Sequence, residues 1–306
     1  MGSIAFVGMD VHKATIAVAV AEGVRGGEVR QLGIFPNRAE VIAKLAERLA
    51  RDGRELSFCY EAGPCGYGLQ RQLAGLGHAC AVVAPSLIPS KPGDRVKTDR
   101  RDALSLAKLH RAGELTPVWV PDPAHEAIRD LVRARATAVR VLGKARQHLQ
   151  GFLLRHGRIY AGRTTWTLAY RRWLTTLRFP HPAQQIVLQD YIHAVQDAER
   201  RVARLAEQIV TLLPSWSLAP VVQALQAMRG VGQIVAVTVA AEVGDFSRFA
   251  NPRQLMAYLG LVPSECSSGG KIRRGVVDHA PDGFSKTLQH GLGAIGEGVE
   301  EEFGEC

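Results

Sequence analysis

The stretch IAFVGMDVHKATIAVAVAEG, residues 4–23, decides the fold. Its first part, IAFVGM, is a short apolar run that ends at Asp10. VHK then reads as a turn, and ATIAVAVAEG resumes an apolar, β-branched strand. Two runs joined so tightly can pair only as antiparallel neighbours. After the Gly26-Gly27 break, GEVRQLGIF (27–35) supplies a third strand, so the chain opens with an antiparallel meander.

Working outward, Asn37 is a candidate N-cap for RAEVIAKLAERLARDG (38–53), where Val41, Ile42, Leu45 and Leu49 recur at helical spacing and Gly53 stops the helix. ELSFCYEAG (55–63) is a strand ending at Glu61, GYGLQRQLAGLG (66–77) a helix, and HACAVVAPS (78–86) an apolar strand. A helix from about Thr98 to Ala112 closes the unit. The order β-β-β-α-β-α-β-α, with helices alternating with strands after the meander, predicts an α/β mixed sheet covered on both faces.

Bulk properties narrow the partners. A chain of 306 residues is long enough for two domains with cores of their own. With 46% hydrophobic and 22% charged residues it has an ordinary globular composition. The net charge of +9 and the pI near 9.6 are less ordinary and favour a polyanion, because phosphates attract Lys and Arg and release counterions on contact. The five cysteines, Cys59, Cys65, Cys80, Cys266 and Cys306, contain no C-x-x-C pair, which argues against a zinc site and a disulfide scaffold and fits a reducing cytoplasm. No apolar run approaches the roughly eighteen residues of a membrane span. The N-terminal apolar run lacks the basic region of a signal peptide.

Beyond TPVWVPDPAHE (116–126), whose Pro117, Pro121 and Pro123 suggest a linker, the texture changes. Residues 126–157 hold no proline, and Arg129, Arg133, Arg135, Arg140, Lys144, Arg146 and Arg155 face only Glu126 and Asp130. Ile128, Leu131, Val132, Val139, Leu142 and Leu149 keep a helical stripe. An aromatic, arginine-rich segment follows (Trp166, Tyr170, Trp173), then a second helix from about Pro182 to Leu213. There Val202, Leu205, Ile209 and Leu212 step by three, four and three, the spacing of a short coiled coil. The two helices could pair as an antiparallel arm or form the core of a helical subdomain. The expected domains are residues 1–116, 117–219 and 220–306. In the last, Gly230-Val231-Gly232 lies between two apolar helical stretches. Such a turn can offer backbone N–H groups to a phosphate, and a plain helix connection explains it as well. DFSRFANPRQLMAYLGLVPSECSSGGKIRRG (245–275) then gives a helix, a turn and a Ser/Gly/Arg-rich loop.

Four carboxylates stand out. Asp10 and Glu61 end strands that would be central, and Asp99 and Asp102, three apart, share one face where the closing helix begins, with Cβ atoms about 5–6 Å apart. Converging carboxylates repel and raise one another's pKa unless cations neutralise them. An oxygen-rich set suits Mg²⁺ or Mn²⁺, and a pair of such ions can clamp both oxygens of a phosphoryl transfer. Singly, each has a plainer reading: first-turn acids favour the helix dipole, and an aspartate beside a turn is common.

The words GMDVHKATIAVAV, CYEAGPCGYGL, VKTDRRDALSLAKL, MRGVGQIVAVTVAAEVGDFSRF and MAYLGLVPSECSSGGKIRRG closely resemble the transposases of insertion-sequence family 110, also called DEDD transposases. The resemblance runs from residue 5 to about 275 in the right order. It implies a RuvC-like, ribonuclease-H-fold N-terminal domain, a helical coiled-coil arm, and a small, mainly helical C-terminal domain with a catalytic serine. The family's acidic quartet falls on Asp10, Glu61, Asp99 and Asp102, the same four residues. Its serine falls in SECSSGGK, at Ser268, with Ser267 as rival. A serine nucleophile would form a phosphoserine link that keeps the broken bond's energy for rejoining. Lys271, Arg273 and Arg274 would hold the scissile phosphate. Lys13, Lys97, Arg100 and Arg101 on the N-terminal domain, with Arg133, Arg140 and Lys144 on the basic helix, would hold nucleic-acid backbone. The implied partners are element and target DNA and a structured guide RNA, the implied assembly a homodimer or homotetramer, and the implied location the cytoplasm, at the nucleoid.

The chain departs from the family pattern after KIRRG. A lysine-and-glycine turn and an arginine-rich helix would be expected. Instead VVDHAPDGFSKTLQHGLGAIGEGVEEEFGEC (276–306) follows, with Glu297, Glu300, Glu301, Glu302 and Glu305 near its end. It reads as a frame change near residue 276, which would weaken the serine domain. Two other functions stay open: a degenerate element product that binds nucleic acid without recombining, and a RuvC-like junction nuclease without serine chemistry.

Overall fold

The computed structural model describes residues 4–24, 26–89, 98–261, 263–265 and 274–277. The chain divides between Val120 and Pro121 into two compact units.

In the first unit the opening stretch forms β1 (Ile4–Val11) and β2 (Thr15–Glu22), paired antiparallel with Val7 opposite Val20 and Asp10 opposite Ala17. β3 (Val29–Pro36) extends the meander antiparallel to β2. On the other side of β1 lie β4 (Glu55–Glu61) and then β5 (Ala79–Val83), both parallel to it, giving the order β3-β2-β1-β4-β5. Helices α1 (Ala39–Leu49), α2 (Gly68–Gly75) and α3 (Asp99–Ala112) complete the layers. This is the expected α/β mixed sheet and is consistent with a ribonuclease-H-like domain.

Side-chain size separates the two faces of the sheet. Val7, Met9, Ile16, Val18, Val20, Phe58 and Tyr60 form a large-residue core with Ile42 and Leu45 of α1 and Leu73 of α2. The opposite face is built small: Ala17, Ala19 and Ala21 pack against Ala103 and Ala107 of α3. Gly8 shows why. A Cβ on it would lie 2.3 Å from the Ala107 backbone nitrogen and 2.4 Å from the Ala103 carbonyl oxygen. The backbone of α3 therefore rests directly on β1.

Two expectations change here. Asn37 does not cap α1, whose N-cap is Arg38 without a side-chain bond. Instead the Asn37 amide donates to the His12 carbonyl (2.8 Å) and its N–H to that of Ala14 (2.9 Å), stitching the β1–β2 turn to the end of β3. Nor is the segment from Thr116 to Val120 a bare linker. Val118 N–H donates to Val82 O (2.7 Å), Ala84 N–H to Thr116 O (3.2 Å), and Val118 and Val120 pack on the sheet core. The exposed edge of β5 needs hydrogen-bond partners, and this segment supplies them.

In the second unit, Asp122 caps α4 (Pro123–Arg155) by accepting from His125 N–H (2.8 Å), with proline in the first turn, where its missing N–H costs nothing. Long α6 (Pro182–Leu212) packs antiparallel to it: Leu149, Phe152 and Leu153 meet Leu188 and Val195, and Val132 shares a cluster with Ile209. α5 (Leu168–Thr176) packs Tyr170 and Leu174 onto the first of these clusters. Of the residues expected at coiled-coil positions, Ile209 is buried and Val202 and Leu205 half-buried, but Leu212 is exposed and Leu213 points inward in its place. α7 (Ala219–Gln226) and α8 (Gln233–Val243) flank the Gly230-Val231-Gly232 connection, and α9 (Pro252–Tyr258) follows. Short strands β6 (Pro263–Glu265) and β7 (Arg274–Val277) pair antiparallel. The serine loop between them and residues 278–306 lie outside the described residues.

Candidate active site

Strand alternation aims the first two acids. Phe6 and Gly8 face α3, so Asp10, two residues on, faces the same way. On β4, Ser57 Oγ lies 2.8 Å from His110 Nε2 of α3 and Cys59 packs with Leu106, so Glu61 continues that face. Parallel register pairs Met9 with Tyr60, and Asp10 and Glu61 are the next residues of the two strands. They therefore share one sheet face and one sheet end.

The helix brings the other two. Thr98 caps α3 by accepting from Arg101 N–H (3.4 Å), which places Asp99 and Asp102 in the first turn, where the helix dipole favours negative charge. Asp102 is half-buried and Asp99 exposed. Because Gly8 lets α3 settle onto β1, that first turn stands over the end of the strand. Burial raises the pKa of Asp10, His12 lowers it, and the charges of Asp99 and Asp102 raise it again, for a net upward shift. Three of the four expected carboxylates are thus within electrostatic reach of one another.

Sequence reading passed over His12 as a turn residue. Its Nε2 lies 3.3 Å from Asp10 Oδ2 and 3.6 Å from Asp99 Oδ2, joining strand end and helix start. The Asp-x-His spacing was the available signal, since residues two apart along an extended strand end share a face. Ligand atoms of Asp10, His12 and Asp99 all lie within 4.8 Å of one another. Among the described residues, Glu61 stands at the same edge but is not part of that close group. An O,O,N donor set with excess negative charge fits a divalent cation, and Asp10, His12 and Asp99 are the residues that could hold one.

The basic residues sort differently. Lys13, Arg100 and Arg101 are exposed around the carboxylates, and Arg140 and Lys144 are exposed on α4. Arg133, one of the residues expected to hold nucleic-acid backbone, is exposed and also grips the buried Glu242 of α8 with two bonds of 2.8 Å, and Arg129 adds a third of 3.1 Å. A buried carboxylate demands such partners. Ser267, Ser268, Lys97, Lys271 and Arg273 lie outside the described residues, and Arg274 is described only as a backbone position of β7.

The chain matches known proteins along most of its length. A DEDD transposase model of the IS110 group matches residues 7–157, a span holding Asp10, His12, Glu61, Asp99 and Asp102. A second model, described as transposase of the IS116/IS110/IS902 family, matches residues 222–281, which include the serine loop. A Sinorhizobium fredii protein named as a transposase is 53% identical over 284 residues, 93% of this chain and 70% of its own length. The transposase for insertion sequence element IS1533 of Leptospira borgpetersenii is 34% identical over 81% of this chain and 72% of its own. A family 20 transposase of Pseudomonas aeruginosa is 31% identical over 74% and 67%. On these matches, the chain belongs to the IS110 family of insertion-sequence transposases.

Proposed function

We propose that this chain is a DNA transposase that cuts and rejoins strands to move an insertion sequence, using an acidic cation site and a serine nucleophile. Membership of a transposase family supports the DNA-processing activity. The observation that carries the site is the gathering of Asp10, His12 and Asp99 within 4.8 Å, with Asp10 held above its ordinary pKa by burial and by its acidic neighbours. A fold keeps such repulsion where a ligand relieves it.

In this reading Asp10 and Asp99 are cation ligands, His12 is a third donor, and Glu61 and Asp102 stand at the edge as further carboxylates. A divalent ion bound there supplies positive charge that stabilises a phosphate under attack. Magnesium or manganese suits the donor set. Ser268 is the proposed nucleophile, with Ser267 as rival. Its Oγ loses its proton and forms a bond to phosphorus as the bond from phosphorus to the departing sugar oxygen breaks, that oxygen leaving with a proton, so the strand stays linked to the protein until it is rejoined. Lys271, Arg273 and Arg274 would hold that phosphate, and Lys13, Arg100, Arg101, Arg140 and Lys144 would line the path of DNA and a guide RNA. If the sequence after residue 275 departs from the family pattern as its reading suggests, a second reading is that the product binds nucleic acid without recombining.

Strand exchange with the purified chain, guide RNA and both DNA partners tests the proposal. Asp10→Asn should lower the rate by about 10²-fold or more. Ser268→Ala should abolish covalent protein–DNA adducts. Adducts persisting in the serine variant would overturn the nucleophile assignment, and binding with no exchange in the unmodified chain would leave the second reading.

A further inference from the structure

The tip of the helical pair carries a feature that the transposase chemistry does not use. From Arg155 to Pro180 the chain has six arginines and no carboxylate, interleaved with Tyr160, Trp166, Tyr170, Trp173 and Phe179. The aromatic rings pack together: Tyr170 lies 5.2 Å from Trp166, 5.1 Å from Tyr160 and 5.4 Å from Trp173, centroid to centroid. Trp166 is only half-buried.

Beside Trp166 is a cavity of about 100 Å³, floored by Leu149 and Leu174 and edged by Arg171, Thr175 and Gln196. That is well under the roughly 300–1,000 Å³ of a drug-sized site and suits one flat ring system. Its polar rim is held rigidly. Arg171 donates two bonds to Glu199 (2.8 and 2.9 Å), Arg146 donates another (3.1 Å), and Arg146 stacks 4.7 Å from the Trp166 ring centre. Among the described residues the buried Arg146 Nε has no hydrogen-bond partner. Trp166 sits at φ +70°, a conformation a bulky side chain resists; among the described residues it is the one non-glycine there. The local fold thus holds Trp166, with its backbone in an unfavourable conformation, in the lining of a ring-sized cavity inside a cationic segment.

We propose that this cavity takes a single unpaired nucleobase of an RNA or DNA strand. The base lies against Trp166, its edge meets Gln196 and Thr175, and the neighbouring phosphates run along Arg163, Arg172 and Arg178, all exposed. Aromatic stacking among arginines is how proteins hold single strands, because every base offers a π-face and every linkage a charge. A duplex keeps its bases stacked and cannot enter.

Binding of labelled mixed-sequence oligonucleotides of about 12 residues to the full chain tests this. Trp166→Gly removes the ring and lets the backbone keep its positive φ without strain; Gln196→Ala alters another residue of the lining. Each should weaken single-strand binding about tenfold and leave duplex DNA affinity unchanged, and Gln196→Ala, on an exposed side chain, should also leave the thermal midpoint unchanged. Loss on RNA alone, on DNA alone or on both supports the pocket and tells which strand it takes. Wild-type affinity in both variants, or an equal loss on duplex DNA, overturns it. If Trp166→Gly melts early, Gln196→Ala decides. Trp166→Gly and Gln196→Ala should leave Mn²⁺ binding as in the parent, which separates this pocket from the carboxylate site.

Discussion

Asp10 and Glu242 are both acids placed against a helix, and the fold treats them in opposite ways. Glu242 has a side chain with no exposed surface, yet Arg129 and Arg133 surround it. Burial alone would raise its pKa, and the bonds and charges of the two arginines outweigh burial and lower it. Asp10 keeps 17% of its side chain exposed; burial and the charges of Asp99 and Asp102 raise its pKa, and among the described residues His12 is what offsets them. A carboxylate that serves structure is given its counter-charges within the chain. Asp10, in contrast, lies in the company of other carboxylates. The same contrast holds for Glu199, which Arg146 and Arg171 neutralise. It explains why a count of acidic residues says little about a site, while the balance around each says much.

The contrast can be broken most severely at Gly8. Gly8→Ala would drive a methyl into the backbone of α3, which cannot yield as a side chain can. Lifting the helix should cost about 3 kcal/mol or more in urea unfolding and separate Asp99 and Asp102 from Asp10, so activity should fall further than stability alone explains. Stability and activity near wild type would show that the close approach does not position the site. On the paired side, Glu242→Ala should destabilise by about 3 kcal/mol, because two arginines lose their partner. The sign with pH follows from the lowered pKa of Glu242. Its contribution is fully present above the ordinary glutamate range and is lost as pH falls through its depressed folded value. Urea midpoints measured towards acid should therefore drop for the parent and drop less for Glu242→Ala. The smallest effect expected is that of Thr98→Ala, which removes the cap from the helix bearing Asp99 and Asp102. About 1 kcal/mol should be lost by the same measurement, with activity reduced only modestly.

The sheet was legible because its strands are apolar runs separated by turns, and the three acids because they terminate elements whose ends converge in this topology. What escaped depended on partners distant in sequence. Nothing near Arg133 announces that Glu242, more than a hundred residues on, will claim its guanidinium. Asn37 has the composition of a cap, but a carbonyl in the β1–β2 turn competes for it. Pro117 and Pro121 suggest a linker, while the residues between them answer an open sheet edge. His12 was missed for the opposite reason: its partners are near, but a histidine in a turn carries no periodic signal.

The central claim is that Asp10, His12 and Asp99 share a cation, and calorimetric titration of Mn²⁺ into the metal-free chain tests it directly. The account predicts saturable binding by the parent, lost in Asp10→Asn and weakened in Asp99→Asn, with both variants folded. Manganese bound as tightly by Asp10→Asn as by the parent would contradict it.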